Sequence, residues 1–301
     1  MMKLFFSDYI EVSAAKGSRF PVQKYRLLRE HLQSEKNTNL VFEQAREVSI
    51  ETLCLAHTRQ YVDAVLNGSL STEEIRRIGF PWSQQLVARS RCSVGATLAA
   101  CKSALQYGVA ANLAGGTHHA FANKGAGYCV FNDVAVAARF LTKKNPKARI
   151  LIVDADVHQG DGSASILSNE EKIYTLSIHC MDNFPLEKQR SHLDVPLLAG
   201  TADSEYLRQF TDALKRAMLA ARPTFIIYLA GADPYVHDRL GRLDLTKKGL
   251  SERDEILYSQ CRRLEVPVAV VMGGGYADDV NDIVAIHANT IRLASKLAIE
   301  H

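Results

Sequence analysis

The stretch Ile150-Leu151-Ile152-Val153-Asp154-Ala155-Asp156-Val157-His158-Gln159-Gly160-Asp161-Gly162 decides how the chain is read. Four aliphatic residues followed by polar residues and glycine predict a short strand of the kind that βαβ units build into a parallel sheet. If the backbone stays extended, alternate side chains share a side, so Asp154, Asp156 and His158 fall on one face. Such groups at the end of an apolar strand repel or lie unpaired without a cation, because a buried carboxylate is costly unless paired or metal-bound. The bland alternative is an exposed loop with incidental acids, which fits poorly with the β-run before it and Gly160 and Gly162 after it.

Other segments repeat the pattern. Val109 to Leu113 runs into Ala114-Gly115-Gly116-Thr117-His118-His119, and Ile173 to Ile178 ends at His179. Phe225 to Leu229 leads to Ala230-Gly231-Ala232-Asp233, and Val268 to Met272 ends in Gly273-Gly274-Gly275-Tyr276. Met1 to Phe6 reads as a first strand. Between these runs, 83–107, 132–144, 203–221, 246–264 and 279–297 have the length and apolar spacing of helices, with Ser83 and Asp203 as N-caps. Strands alternating with helices predict an α/β fold with a mostly parallel sheet. The right-handed crossover rule then gathers the polar strand ends on one edge, where α/β proteins bind ligands. With no repeat or Pro/Ser-rich linker to mark a boundary, residues 1–301 are read as a single domain.

Composition narrows the function classes. Among 301 residues, 36 Lys and Arg stand against 33 Asp and Glu. The pairs Arg76-Arg77, Lys143-Lys144, Lys247-Lys248 and Arg262-Arg263 are dispersed, which reads as solvated helix faces and not as a nucleic-acid-binding stripe. The six cysteines lack any CxxC spacing and read as buried reduced thiols. There is no uncharged apolar run of the ~18 residues needed to cross a bilayer, and the N-terminus lacks a signal-type apolar region. These features predict a soluble, cytoplasmic protein without nucleic-acid or membrane partners, of undetermined oligomeric state.

A divalent metal held by carboxylates and imidazole with one position open is the arrangement of catalytic zinc. A further ligand must come from elsewhere, and Asp233 is the best candidate, sitting just past an apolar strand; alone it would read as a turn or N-cap residue before Pro234. His118 and His119 suit general acid/base work, one imidazole taking a proton from water and the other giving one to a leaving amine. Asp154 and Asp161 are available to orient them. Tyr276 is a candidate hydrogen-bond donor to an oxyanion.

Taken together these segments resemble the zinc-dependent histone deacetylase family, whose fold is an α/β domain with a central eight-stranded parallel sheet, related to arginases. The resemblance rests on Arg19-Phe20-Pro21 with Lys24, His57-Thr58 with Tyr61, Gly116 to Ala120, Gly127 to Asp133, Asp154 to Gly162, Ser177-Ile178-His179, Gly231-Ala232-Asp233 and Gly274-Gly275-Tyr276. It implies that Asp156, His158 and Asp233 are zinc ligands and that His118 and His119, oriented by Asp154 and Asp161, are the acid/base pair. Tyr276 would polarise the acyl carbonyl, and Gly127, Tyr128 and Phe184 would line the substrate channel, Tyr128 standing where phenylalanine is common. A structural K+ site would draw on Asp154, Asp156, His158, Ser177 and Ile178, and Arg19 would correspond to the arginine of an internal product channel. His158-Gln159-Gly160, where two histidines are usual, is similar to the class IV branch and its bacterial relatives.

The expected activity is zinc-dependent hydrolysis of an acyl-lysine or another acylated amine, with Fe2+ as an alternative metal. Alternatives are an acetylpolyamine or small-metabolite deacylase, an arginase-like ureohydrolase, and a non-enzymatic acyl-ligand-binding module. A ureohydrolase needs a second metal, whereas Asp233 is followed by Pro234-Tyr235. The segments 66–82 and 181–198 are expected to be loops that set substrate preference.

Overall fold

Every apolar run named above forms a strand in the computed structural model of the chain, which describes residues 1–15, 17–35 and 39–298. In chain order the elements are β1 (Met2–Phe6), α1 (Lys24–Ser34), β2 (Leu40–Gln44), α2 (Ile50–Leu53), α3 (Arg59–Asn67), α4 (Thr72–Ile78), α5 (Gln84–Tyr107), β3 (Val109–Asn112), α6 (Asp133–Lys144), β4 (Ile150–Asp154), α7 (Asp161–Leu167), β5 (Ile173–Cys180), β6 (Leu193–Leu197), α8 (Asp203–Ala221), β7 (Phe225–Gly231), α9 (Lys247–Leu264), β8 (Val268–Gly273) and α10 (Val280–Ser295). The strands form one eight-stranded sheet in the order β2-β1-β3-β8-β7-β4-β5-β6, parallel throughout.

Helices cover both faces, which explains the unbroken apolar runs of the central strands. Alternation divides them between two cores: Leu151 and Val153 of β4 join Ile226 and Tyr228 of β7 on one side, while Ile150 and Ile152 join Phe225, Ile227 and Leu229 on the other. The cysteines are free thiols, all buried except the half-buried Cys54, and no helix among the described residues is long and apolar enough to cross a membrane.

Several expectations need correction. Ser83 caps α5 by accepting from Leu86 N, but Asp203 is the first residue of α8, behind Ala202. Its carboxylate instead accepts from the backbone and hydroxyl of Thr246, tying the starts of α8 and α9 together. Segment 66–82 is not a plain loop: it contains α4, opened by a capping box between Ser71 and Glu74, a device that makes even a short helix hold. Segment 181–198 contains β6, whose Asp194 and Pro196 mask the alternation and suit an edge position.

Candidate active site

β4 ends at Asp154 and does not carry its extended backbone to His158. The chain bends, and each bend is held by a carboxylate two residues back: Asp156 N donates to Asp154 Oδ1 at 3.2 Å, and His158 N to Asp156 Oδ1 at 2.9 Å. Asp154, Asp156 and His158 therefore do not share one face, as a continuous strand would require. Asp154 turns to His118, whose Nδ1 lies 2.6 Å from Asp154 Oδ2. His158 Nδ1 faces the other way, 2.9 Å from Asp156 Oδ1 and 3.2 Å from Asp233 Oδ2.

Asp233 comes from the neighbouring strand. Gly231 at the end of β7 lies so close to β4 that a Cβ there would stand 2.5 Å from Asp156 Cα, so only glycine lets the two strand ends meet. Asp233 Oδ1 accepts from Val157 N at 2.9 Å. Its Oδ2, buried and near His158, makes no hydrogen bond. On its other side is Gly274, left-handed at φ 56°, where a Cβ would fall within 2.1 Å of that oxygen. One ligand atom from each of Asp156, His158 and Asp233 lies within 4.8 Å of the others, and all three residues are buried. Two carboxylates facing one imidazole nitrogen, with an orphaned oxygen, are the donor set that a divalent cation satisfies.

The electrostatics express the same crowding. Burial and the neighbouring Asp156 push Asp233 up to about 7. Burial works against a charged His158, but Asp156 and Asp233 overcome it and raise the ring to about 10. Burial likewise opposes a charged His118, yet Asp154 and Asp156 lift it to about 9. Next to it, burial and His118 itself lower His119 to about 4, although Asp161 Oδ1 stands 2.6 Å from its Nδ1. The two imidazole centroids are 4.1 Å apart. Each thus has its Nδ1 on its own aspartate.

His119 and His158 line a cleft of about 710 Å3 together with Gly127, Tyr128, Phe184 and Tyr276 among others. Phe184 meets His119 edge-on at 4.9 Å, and Tyr128 and Tyr276 tilt against each other at 6.1 Å. The expected channel residues therefore converge on the histidines. Ser177 lies beside Asp154 in the β4–β5 register, with its hydroxyl 2.9 Å from His179 Nδ1. Arg19 is exposed and lines the mouth of the cleft, so it does not lie in an internal channel. A buried cation beside the site is Lys24, whose Nζ donates to the carbonyls of Gly274 and Gly275. Arg76 and Arg77, exposed on the last turn of α4 as a solvated helix face requires, also line the mouth.

Two polar residues near the site, Asp238 and Asn183, carry no sequence signal of a role there, and Gln159, notable in the sequence as a departure from the usual histidine, has a contact the sequence does not show. Asp238 Oδ2 accepts from Tyr276 N at 2.6 Å while its Oδ1 accepts from Leu240 N and Gly241 N, fixing the tyrosine's backbone. An aspartate followed closely by glycine is a turn signal that could have drawn attention to it. Asn183 Nδ2 is 3.5 Å from His158 Nε2 and donates to Leu240 O. Gln159 exchanges hydrogen bonds with the backbone of Gln189, at 2.6 and 2.8 Å. No local pattern announces these last two contacts.

A histone deacetylase domain matches residues 18–291. An uncharacterized protein of Picosynechococcus sp. is 40% identical over 294 residues, 97% of each chain. Histone deacetylase 2 of Arabidopsis thaliana is 30% identical over 79% of this chain and 64% of its own, and the acetoin utilization protein AcuC of Bacillus subtilis is 31% identical over 77% and 66%. Crystal structures of an HDAC homolog complexed with SAHA and of an HDAC homolog from Aquifex aeolicus share the fold, each with a TM-score of 0.82 over 97% of this chain, at 24% and 23% identity and covering 84% and 83% of those chains. With that domain spanning nearly its whole length, the chain belongs to the histone deacetylase family.

Proposed function

We propose that the chain is a metal-dependent deacylase that hydrolyses the amide of an acyl-lysine or another acylated amine. The observation that carries this reading is the meeting of Asp156, His158 and Asp233 within 4.8 Å, beside two imidazoles each bonded to its own carboxylate. When bound there, a zinc ion supplies Lewis acidity toward the acyl carbonyl and lowers the pKa of water from about 16 toward roughly 7. His118 and His119 each use Nδ1 for an aspartate, which leaves Nε2 of each ring for proton transfer. In this reading His118, held cationic by Asp154 and Asp156, supports the attacking water electrostatically, and the neutral His119 takes the proton from that water and delivers it to the departing amine. Tyr276, its backbone fixed by Asp238, donates a hydrogen bond from its hydroxyl to the acyl oxygen. Tyr128, Gly127 and Phe184 hold the slender chain that carries the amide. A structural K+ would neutralise the ends of β4 and β5 at Asp154, Asp156, His158, Ser177 and Ile178. The free thiols suit a reducing, cytoplasmic setting, and 1–301 would form one catalytic domain.

His119→Ala is expected to lower acetyl-lysine peptide hydrolysis by at least about 100-fold while retaining one metal ion per chain, counted by mass spectrometry of elements. Undiminished hydrolysis would overturn the role of His119. Two metal ions per chain would favour a ureohydrolase, although among the described residues only one cluster of ligand type is present.

A further inference from the structure

Five arginines, Arg19, Arg76, Arg77, Arg239 and Arg242, line the mouth of the cleft, against one carboxylate, Asp182. They come from distant parts of the chain: the segment before α1, the last turn of α4, and the loop between β7 and α9. The whole protein carries a net charge of only +3, so this surplus is a local feature and not an average of the surface. All five are exposed. Arg77 is answered by Glu73 at 2.9 Å, and Arg239 by Asp278 at 3.3 Å and by the Tyr276 carbonyl at 2.9 Å. The side chains of Arg19, Arg76 and Arg242 have no ion pair or hydrogen bond among the described residues. Like charges gathered around an opening repel one another and focus a positive potential into it. At the same mouth Leu186 is 92% exposed, an apolar contact outside the acyl channel.

We propose that this mouth selects acyl-lysines carried in acidic polypeptide sequence, the carboxylates beside the modified lysine docking on Arg19, Arg76 and Arg242. The proposal rests on the deacylase reading above and specifies its substrate class. A guanidinium presents paired N–H donors that match a carboxylate, whereas a lysine-rich tail or an acetylpolyamine brings like charge to the same place. Leu186 gives a neighbouring residue of a polypeptide something to pack on, which a small acylated amine does not use. The rim does not reach the scissile bond, so its contribution falls on binding and encounter.

The test compares metal-loaded protein on three acetyl-lysine peptides of equal length, with Glu, Gln or Lys at the flanking positions. Expected at low ionic strength is a kcat/KM about 10-fold or more higher for the Glu-flanked than for the Gln-flanked peptide, with the Lys-flanked peptide lowest. The difference is expected in KM and not in kcat, and it shrinks toward parity near 1 M salt, where the screening length is about 3 Å. In R19Q/R76Q/R242Q the Glu-to-Gln ratio is expected to fall close to one. Equal or better turnover of the Lys-flanked peptide, a preference indifferent to salt, or an intact ratio in the triple variant overturns the proposal while leaving the deacylase reading standing. If none of the three peptides is hydrolysed, the acyl-lysine part of the deacylase reading fails and takes the proposal with it.

Discussion

His57 shows how much a single buried side chain can report. Its Nδ1 lies 3.0 Å from the Phe121 carbonyl and its Nε2 accepts from Asn132 N at 2.9 Å, a pairing that only the neutral ring satisfies on both sides. Burial lowers it from 6.5 to about 4. A histidine depressed in the folded state stays neutral while its unfolded counterpart takes a proton, so its contribution is intact above pH 6.5 and lost as pH falls toward 4. Between pH 7 and 5 the loss from this group is about 2 kcal/mol. Urea denaturation should therefore show His57→Gln, which keeps an acceptor for Asn132, with a shallower acid slope than the wild type by that amount; parallel slopes would refute the assignment. At this scale the sequence was most legible where chemistry and spacing coincide. His118, His119, Asp154, Asp156, His158 and Asp233 meet because each follows an apolar strand end, and strand ends can be read. Asn183 and Lys24 arrive from a loop and a helix start, and which cavity they reach is settled only by tertiary packing.

At the scale of elements, α9 is more than a cover for the sheet. Arg253, fully buried, donates from Nη1 to the carbonyls of Ala155 at 3.2 Å and Gly231 at 2.7 Å, bracing the ends of β4 and β7 where the candidate ligand residues begin. Asp254 balances it, with Arg253 Nε at 3.0 Å, and also accepts from Tyr228 and Thr290. Breaking such a pair leaves a buried charge, so Arg253→Met should cost about 3 to 5 kcal/mol of unfolding free energy, measured by urea midpoint. R253M/D254N should lose less than R253M alone. Gln159 plays a comparable part for segment 181–198, anchoring the loop that carries Asn183 and Phe184 through Gln189 and Asp194. Gln159→Ala should raise KM more than it lowers kcat in a deacetylation assay, because the channel wall loosens while the histidine pairs stay in place. The central strands were readable because two-sided burial leaves unbroken apolar runs. The edge strands β2 and β6 carry Glu43, Asp194 and Pro196 within five residues each, and α4 is held by its cap and not by a long apolar stripe, so hydrophobic pattern alone did not reveal them.

For the molecule as a whole, the candidate metal site lies on a seam. β4 and β7 are neighbours in the interior of the sheet, and two hydrophobic cores press on its opposite faces. The burial that stabilises those cores forces Asp156 and Asp233 together in a region from which water is largely removed. Without a cation the repulsion between them is a standing cost to the fold; a cation held by both would turn the same crowding into a tie between the two strand ends. Metal binding to the folded state alone at a thousandfold excess over Kd adds about 4 kcal/mol. Chelation should therefore lower the melting temperature of the wild type by several degrees, and zinc should restore it. Asp233→Asn removes one member of the crowded pair while keeping its shape, so the stripped variant should melt above the stripped wild type and gain little from added zinc. Calorimetry of four samples, each protein with and without metal, decides the matter. If the stripped variant melts lower than the stripped wild type, Asp233 stabilises the fold through its charge on its own, and the crowding that motivates a cation at this seam is not there.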